Sequence, residues 1–301
     1  MTFMANNSPL AGSEGKSFTR KTLEERLRSE CENNLSLKVA ACAENPDAFR
    51  VSGRGEMQLG VLIETIRREG FEIAVSPPQV LYKEEGGERL EPIEEIVIDC
   101  DTEFSGVVIE KLSKRRAELT KMVQGTGEKC RMFFKGPTRG LIGFLSELKN
   151  DTKGTGVMNN ALLGYESYKG SIESSRKGAL VSMSPGLTTG YAMADLESRG
   201  ELFLPPGTTV YAGMVVGECA RAQDLEVNPC RAKAVTNVRS TVKEEFFRLR
   251  PPRLMTLEEM IAYMAEDEIL EVTPSNIRLR KAELDVNARK RRAQSKRALS
   301  H

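Results

Sequence analysis

The stretch 51–75, VSGRGEMQLGVLIETIRREGFEIAV, decides how the first part of this chain is read. Leu59, Leu62, Ile63 and Ile66 recur at three- and four-residue intervals, which puts them on one face of a helix. Gly70 follows the periodic run and suits the left-handed residue that closes a helix. FRVSG before the helix and FEIAV after it read as short strands, and Pro77-Pro78 ends the unit. Further toward the N-terminus, LSLKVAA alternates, so Leu35, Leu37 and Val39 are expected on one strand face. TLEERLRSEC is expected to be a helix with Leu23, Leu27 and Cys31 at helical spacing and a capping box of Thr22 with Glu25. MTFMANN supplies a first strand ending in turn residues. The order is β-α-β-β-α-β, the split βαβ or ferredoxin-like pattern.

A second unit of similar layout follows. EEIVIDC and KCRMFF read as strands, and a last strand lies near VMNNALLGYE. GVVIEKLSKRRAELTKM is expected to be one helix with Val108, Ile109, Leu112 and Leu119 on a face, and GLIGFLSELKND another with Leu141, Ile142, Leu145 and Leu148. In each unit the second helix is expected to start just after Arg-Gly, at Arg54-Gly55 and Arg139-Gly140, where the arginines position backbone or contact RNA. From Gly170 onward short strands dominate: GALVSM, GYAMADL, ELFL, TVYAGMVVGE and KAVTNV. One clear helix, TLEEMIAYMAEDE, carries a Thr256–Glu259 capping box and a core stripe of Leu257, Met260, Ile261 and Met264. NIRLRK alternates, with Ile277 and Leu279 expected inward and Arg278 and Arg280 outward. The tail NARKRRAQSKRALSH lacks an apolar stripe and is expected to be flexible, or helical only when bound. The fold class is therefore α+β: ferredoxin-like βαββαβ domains over 1–80 and 81–169, then a β-rich domain with one clear helix over 170–301.

Composition narrows the chemistry. The 301 residues are 40% hydrophobic and 29% charged, as in an ordinary globular protein, and no apolar run is long enough to span a membrane. The single histidine is His301, which leaves no His-based triad or His-rich metal site. Cys31, Cys42, Cys100, Cys130, Cys219 and Cys230 form no C-x-x-C pair, and most of them read as small buried hydrophobes of a reducing compartment. Gly15-Lys16-Ser17 matches the end of a phosphate-binding P-loop, but Leu10 stands where the first glycine of G-x-x-x-x-G-K-[ST] is needed. No catalytic, nucleotide or metal site is expected.

Charge is uneven. Residues 276–301 hold nine Lys/Arg against Glu283 and Asp285, a formal +7; 220–253 hold eight against four acids; 254–274 hold six acids and no base. A basic C-terminal third points to a polyanionic partner, with a solvated face and tail as the alternative.

Long strings then carry a family resemblance. MTFMANNSPLAG, VSGRGEMQLGVLIETIRREGFEIAVSPPQVLYK, EPIEEIVID, RGLIGF, DTKGTGVM, PPRLMTLEEMIAYMAEDEILEVTPSNIRLRK and LDVNARKR together resemble the C-terminal half of the TypA/BipA family of ribosome-binding translational GTPases. The resemblance implies that residues 1–80 are like the third domain of elongation factor G, 81–169 like its fifth, and 170–301 like the RNA- and ribosome-binding domain peculiar to TypA/BipA. Signatures of the GTPase domain are not found, so the chain is expected to have no GTPase activity or cofactor of its own. GTP and magnesium would belong to an N-terminal domain of a full-length parent. The implied partners are the ribosome, large-subunit rRNA and the acceptor end of A-site tRNA, met by a monomer away from membranes. The implied setting is translation or ribosome assembly under stress, in the cytoplasm or in an organellar stroma or matrix.

The matching segment offers Arg221, Arg231, Lys233, Asn237, Arg239 and Lys243 as RNA-binding candidates, on a loop turned at Asn228-Pro229. It departs from the family pattern at Cys219-Ala220-Arg221, at Arg231-Ala232-Lys233 and at Asn237-Val238-Arg239-Ser240-Thr241. With no aromatics there, phosphate and 2′-OH contact is expected rather than base stacking. Arg278, Arg280 and Lys281 are either an exposed strand face or RNA contacts, and Arg289, Lys290, Arg291 and Arg292 either a solvated tail or phosphate ligands. The other readings are a protein-interaction module, or a nucleotide-binding ferredoxin-like protein using Lys16.

Overall fold

The computed structural model describes residues 1–16, 19–42, 45–125, 128–172, 176–232 and 249–299. It comprises two compact units, one made of 1–77 with 176–301 and the other of 78–175. The architecture is α+β with mixed sheets.

The first segment runs β1 (Thr2–Ala5), α1 (Arg20–Asn33), β2 (Lys38–Ala41), β3 (Ala48–Ser52), α2 (Glu56–Arg68) and β4 (Ile73–Val75). Its strands are antiparallel in the order β4-β1-β3-β2. Helix α2 buries the expected stripe of Leu59, Leu62, Ile63 and Ile66. Gly70, at φ 91°, closes it: its N–H donates to the Arg67 carbonyl at 3.1 Å and that of Phe71 to Ile66 at 3.3 Å. Ile66 is fully buried, so Ile66→Ala is expected to cost about 2–5 kcal/mol of stability in urea unfolding.

Two details differ from expectation. Helix α1 is capped by Thr19, whose hydroxyl accepts from the Thr22 N–H at 3.4 Å, so the cap lies three residues before the expected Thr22. Leu35 is 96% exposed, because the Asn34 side chain accepts from the Ser36 N–H at 3.2 Å and folds a turn that leaves Leu35 at its corner.

The second unit runs β5 (Lys83–Glu85), β6 (Glu88–Asp101), a 3₁₀ turn (Thr102–Phe104), α3 (Ser105–Lys114), β7 (Glu118–Gln124), β8 (Lys129–Pro137), α4 (Thr138–Leu141), α5 (Phe144–Asp151) and β9 (Val157–Ser167). Its sheet has the order β5-β6-β8-β7, with β9 also on β6. The single long helix expected over 106–122 is instead α3 followed by β7. Arg116 takes φ 64°, and the Ala117 N–H returns to the Leu112 carbonyl at 2.9 Å while that of Arg116 returns to Ser113 at 3.0 Å. This is a Schellman closure with arginine where glycine is usual. Leu119 is thereby a half-exposed strand residue. The expected helix over 140–151 is two short ones broken at Gly143, φ 72°, so Leu141, Phe144 and Leu148 are buried rather than the predicted set. Gly140 lies inside α4 and does not precede a helix.

Residues 176–301 add β10 (Ala179–Ser182), β11 (Gly186–Leu187), α6 (Gly190–Leu196), β12 (Gly200–Leu202), β13 (Thr209–Val210), β14 (Val215–Cys219), β15 (Leu225–Val227), α7 (Leu257–Tyr263), β16 (Glu268–Val272), β17 (Ile277–Lys281) and α8 (Val286–Leu299). GYAMADL, read as a strand, is helix α6: Thr189 caps it, and Ala192, Met193 and Leu196 bury one face. The Thr256–Glu259 capping box of α7 is present. Residues 286–299 of the tail form helix α8, the helical one of its two expected states. KAVTNV lies outside the described residues. Strands β10, β12, β14 and β15 form a sheet of their own, whereas β16 pairs with β4 and extends the N-terminal sheet to six strands, β17-β16-β4-β1-β3-β2. One core joins Leu23, Leu27 and Ile66 with Val181, Ile261, Leu270 and Val272.

Candidate nucleic-acid interface

The P-loop-like tripeptide comes first, because its loop does gather anion-binding donors. The N–H groups of Gly12, Glu14 and Gly15 converge at 2.7, 2.9 and 2.5 Å on one carboxylate, that of Glu72. The concavity that would take a phosphate in an NTPase is filled by the chain's own side chain. A Cβ at Gly15 would collide with Glu72, which explains glycine there. Lys16 is exposed, and its N–H donates to the Gly70 carbonyl at 3.0 Å. Isothermal calorimetry is therefore expected to give no nucleotide binding to the native chain, and Lys16→Ala to change nothing.

Burial opposes ionisation of Glu72, but the donors from Gly12, Gly15, Glu14 and Asn6 outweigh it and hold the carboxyl below its usual range. Glu14 is likewise held low despite burial, by Thr273, Arg278 and Asn276. Folded-state pKa values below the unfolded ones give stability that is present above about pH 4.5 and lost as pH falls through the folded values. Thermal unfolding is expected to be nearly flat in this respect from pH 5.5 to 7 and to weaken below about pH 4.5.

Strand β17 departs most from its sequence reading. Arg278, Arg280 and Lys281 are buried, not outward-facing. Arg278 donates to Glu14 and, at 3.1 Å, to Glu271. Glu271, itself fully buried, also accepts from Asn6 at 3.1 Å and from the Tyr211 hydroxyl at 2.6 Å. Arg280 donates to the Asn7 side chain and, at 3.2 Å, to the Lys281 carbonyl. Lys281 lies 2.6, 3.0 and 3.1 Å from Asp224, Asp267 and Glu268. Glu268 is also held by Arg176 in a two-pronged pair at 2.7 and 2.8 Å. Ile277 and Leu279 pack into the core on one face, while on the opposite face Arg278 and Arg280 meet Glu14 and Asn7 of the 6–14 loop, so both faces are covered.

Other cations remain at the surface. Arg221 is exposed at a hollow of about 380 Å³ lined by Ser198, Arg199, Cys219, Ala220 and Gln223. Arg199, which sequence reading did not select, stands exposed at the same hollow, 3.6 Å from Asp195. Its only sequence signal is the turn SRGE. Arg231 is exposed, with its guanidinium 5.4 Å from the Tyr191 ring centroid and 3.2 Å from that hydroxyl. Its backbone is pinned by the Thr189 hydroxyl, which donates to the Arg231 carbonyl at 2.7 Å while capping α6. The Asn228 side chain accepts from the Cys230 N–H at 3.0 Å and from Ser184 at 2.9 Å, which sets the turn.

On α8, Lys290, Arg291 and Arg292 are exposed. Arg289 instead fastens the helix, 2.5 Å from Glu226 and donating at 2.8 Å to the carbonyls of Glu283 and Leu284. Arg139 is committed in the same way, at 2.5 Å from the buried Glu91. Lys233, Asn237, Arg239 and Lys243 lie outside the described residues. Among the described residues there is no group of three metal-ligating side chains and no helix long and apolar enough to cross a membrane.

The comparisons agree with one another. Residues 177–286 match the TypA/BipA C-terminal domain, and 88–176 match the elongation factor G C-terminus. A Bacillus subtilis protein named large ribosomal subunit assembly factor BipA is 45% identical over 297 residues, 98% of this chain and 48% of that protein. Proteins of the same name from Synechocystis and Escherichia coli K12 are 43% and 40% identical, over 93% and 97% of this chain and 47% and 48% of their own lengths. The chain thus spans about half the length of the curated relatives it matches. On these matches the chain belongs to the TypA/BipA family and corresponds to its C-terminal region.

Proposed function

We propose that this chain is a ribosome-binding part of a TypA/BipA-type factor, contacting large-subunit rRNA through exposed cations of residues 176–301 and contributing no GTP hydrolysis itself. The observation that carries the proposal is the sorting of cations: Arg221, Arg231, Lys290, Arg291 and Arg292 are exposed, whereas Arg278, Arg280, Lys281 and Arg289 are committed to internal partners. The exposed groups present N–H donors suited to phosphate oxygens, the part of RNA that positions a protein without reading sequence. The names of the relatives place those proteins in large-subunit assembly, and the reading brings the same role to this chain. Lys233, Asn237, Arg239 and Lys243 extend the proposed surface, with the acceptor end of A-site tRNA as a further partner in the compartment that houses the ribosome. The order β4-β1-β3-β2 in the first segment, and β9-β6-β8-β7 in the second unit, supports reading both as ferredoxin-like. The test is co-sedimentation with purified large ribosomal subunits at about 50 mM salt, where phosphate contacts are strongest. Pelleting with the subunits is expected; a chain that stays in the supernatant would refute the proposal.

A further inference from the structure

Cys100 and Cys130 face each other directly across the β6–β8 ladder, with their sulfurs 3.8 Å apart and both side chains buried. Cross-strand partners of an antiparallel pair have Cα atoms about 4.5–5.5 Å apart, inside the 4.4–6.8 Å span of a disulfide, so closing the bond takes side-chain rotation rather than backbone movement. Cys31, Cys42, Cys219 and Cys230 are free thiols with no sulfur partner among the described residues. We propose that Cys100 and Cys130 are a latent dithiol that closes to a disulfide under oxidising conditions and staples the second unit.

Position in the fold gives the pair a route to oxidant. It stands one register step from the end of the ladder, where Asp101 opposes Lys129 and the Thr102 N–H donates to the Glu128 carbonyl at 2.7 Å. Fraying of that end exposes the thiols without unfolding the unit. Burial, and then the neighbouring Cys130, push the Cys100 thiol up to about 12, so the closed ladder holds it as an unreactive thiol and reaction proceeds through the opened end.

With a small disulfide such as oxidised glutathione, one cysteine thiolate attacks a glutathione sulfur and expels a glutathione thiolate. The second cysteine thiolate then attacks the protein sulfur of the mixed disulfide and expels the other glutathione. Two protein thiols are oxidised to one disulfide and one oxidised glutathione is reduced to two thiols, with two protons passing from the cysteines to the glutathione thiolates. The bond ties β6 to β8 and closes the segment that holds α3 and β7.

The test treats the native chain with oxidised glutathione, alkylates free thiols under denaturing conditions and maps the peptides by mass. A linked Cys100–Cys130 peptide, about 2 Da lighter than the two reduced peptides together, is expected, with the other four cysteines largely alkylated. The oxidised chain should also unfold at a higher temperature, an increase reversed by reductant and absent in Cys130→Ser. The proposal is overturned if Cys100 and Cys130 stay as alkylatable as Cys42, if they carry only separate glutathione adducts, or if the linked form unfolds at an equal or lower temperature. The comparison of oxidised with reduced native chain decides this even where Cys130→Ser does not fold.

Discussion

Glu271→Ala is expected to lower the stability of the first unit by roughly 3–5 kcal/mol, the usual consequence of removing one partner from a buried ion pair. The carboxylate is fully buried and accepts hydrogen bonds from Asn6, Tyr211 and Arg278. Its removal leaves Arg278 with Glu14 alone, and leaves the buried Tyr211 hydroxyl without the acceptor it now has. Burial and Glu271 both push the Tyr211 phenol up, so it remains a neutral donor throughout the physiological range. A domain commonly has only about 5–15 kcal/mol in total, so this loss takes a large share. Urea unfolding at pH 7 measures it; a loss below about 1 kcal/mol would mean that the network does not hold the 6–14 loop to β16 and β17.

Charge reversal at Arg221, Arg231, Lys290 and Arg291 together is expected to weaken binding to large ribosomal subunits by at least about a thousandfold near 100 mM salt, while leaving the fold intact. All four side chains are exposed, so their replacement uncovers no buried partner. Arg278→Glu is the instructive contrast. It sets a third carboxylate against Glu14 and Glu271 and is expected to fail by unfolding, so its loss of binding carries no information about RNA. Circular dichroism distinguishes the two outcomes. Unchanged binding by the folded quadruple variant would place the RNA-binding surface elsewhere on the chain.

The elements legible in the sequence are those set by neighbours a few residues away. Helix α2 has its stripe and its glycine, and α7 has its capping box, all within one short window. GYAMADL was illegible because its apolar residues also fit a strand, and the deciding signal is Thr189, one residue outside the window. The end of α3 was hidden because Arg116, rather than a glycine, takes the left-handed turn. Strand β17 was misread for a different reason. Alternation correctly separates Ile277 and Leu279 from Arg278 and Arg280, but the acidic loop residue that receives Arg278 is 264 positions away in sequence. A charged face turned outward and one turned toward buried carboxylates have the same periodicity. The same long-range closure decides Gly15-Lys16-Ser17: only the fold brings Glu72 into the loop and fills its nest.

The salt dependence of binding to large ribosomal subunits tests the central claim most directly, measured in parallel for the native chain and the quadruple charge-reversal variant. The account predicts a steep linear fall of log K with log salt for the native chain. In the variant the slope should be shallower by roughly 0.7–0.9 for each phosphate that is no longer neutralised. Equal slopes for the two proteins, or native binding indifferent to salt, would contradict it.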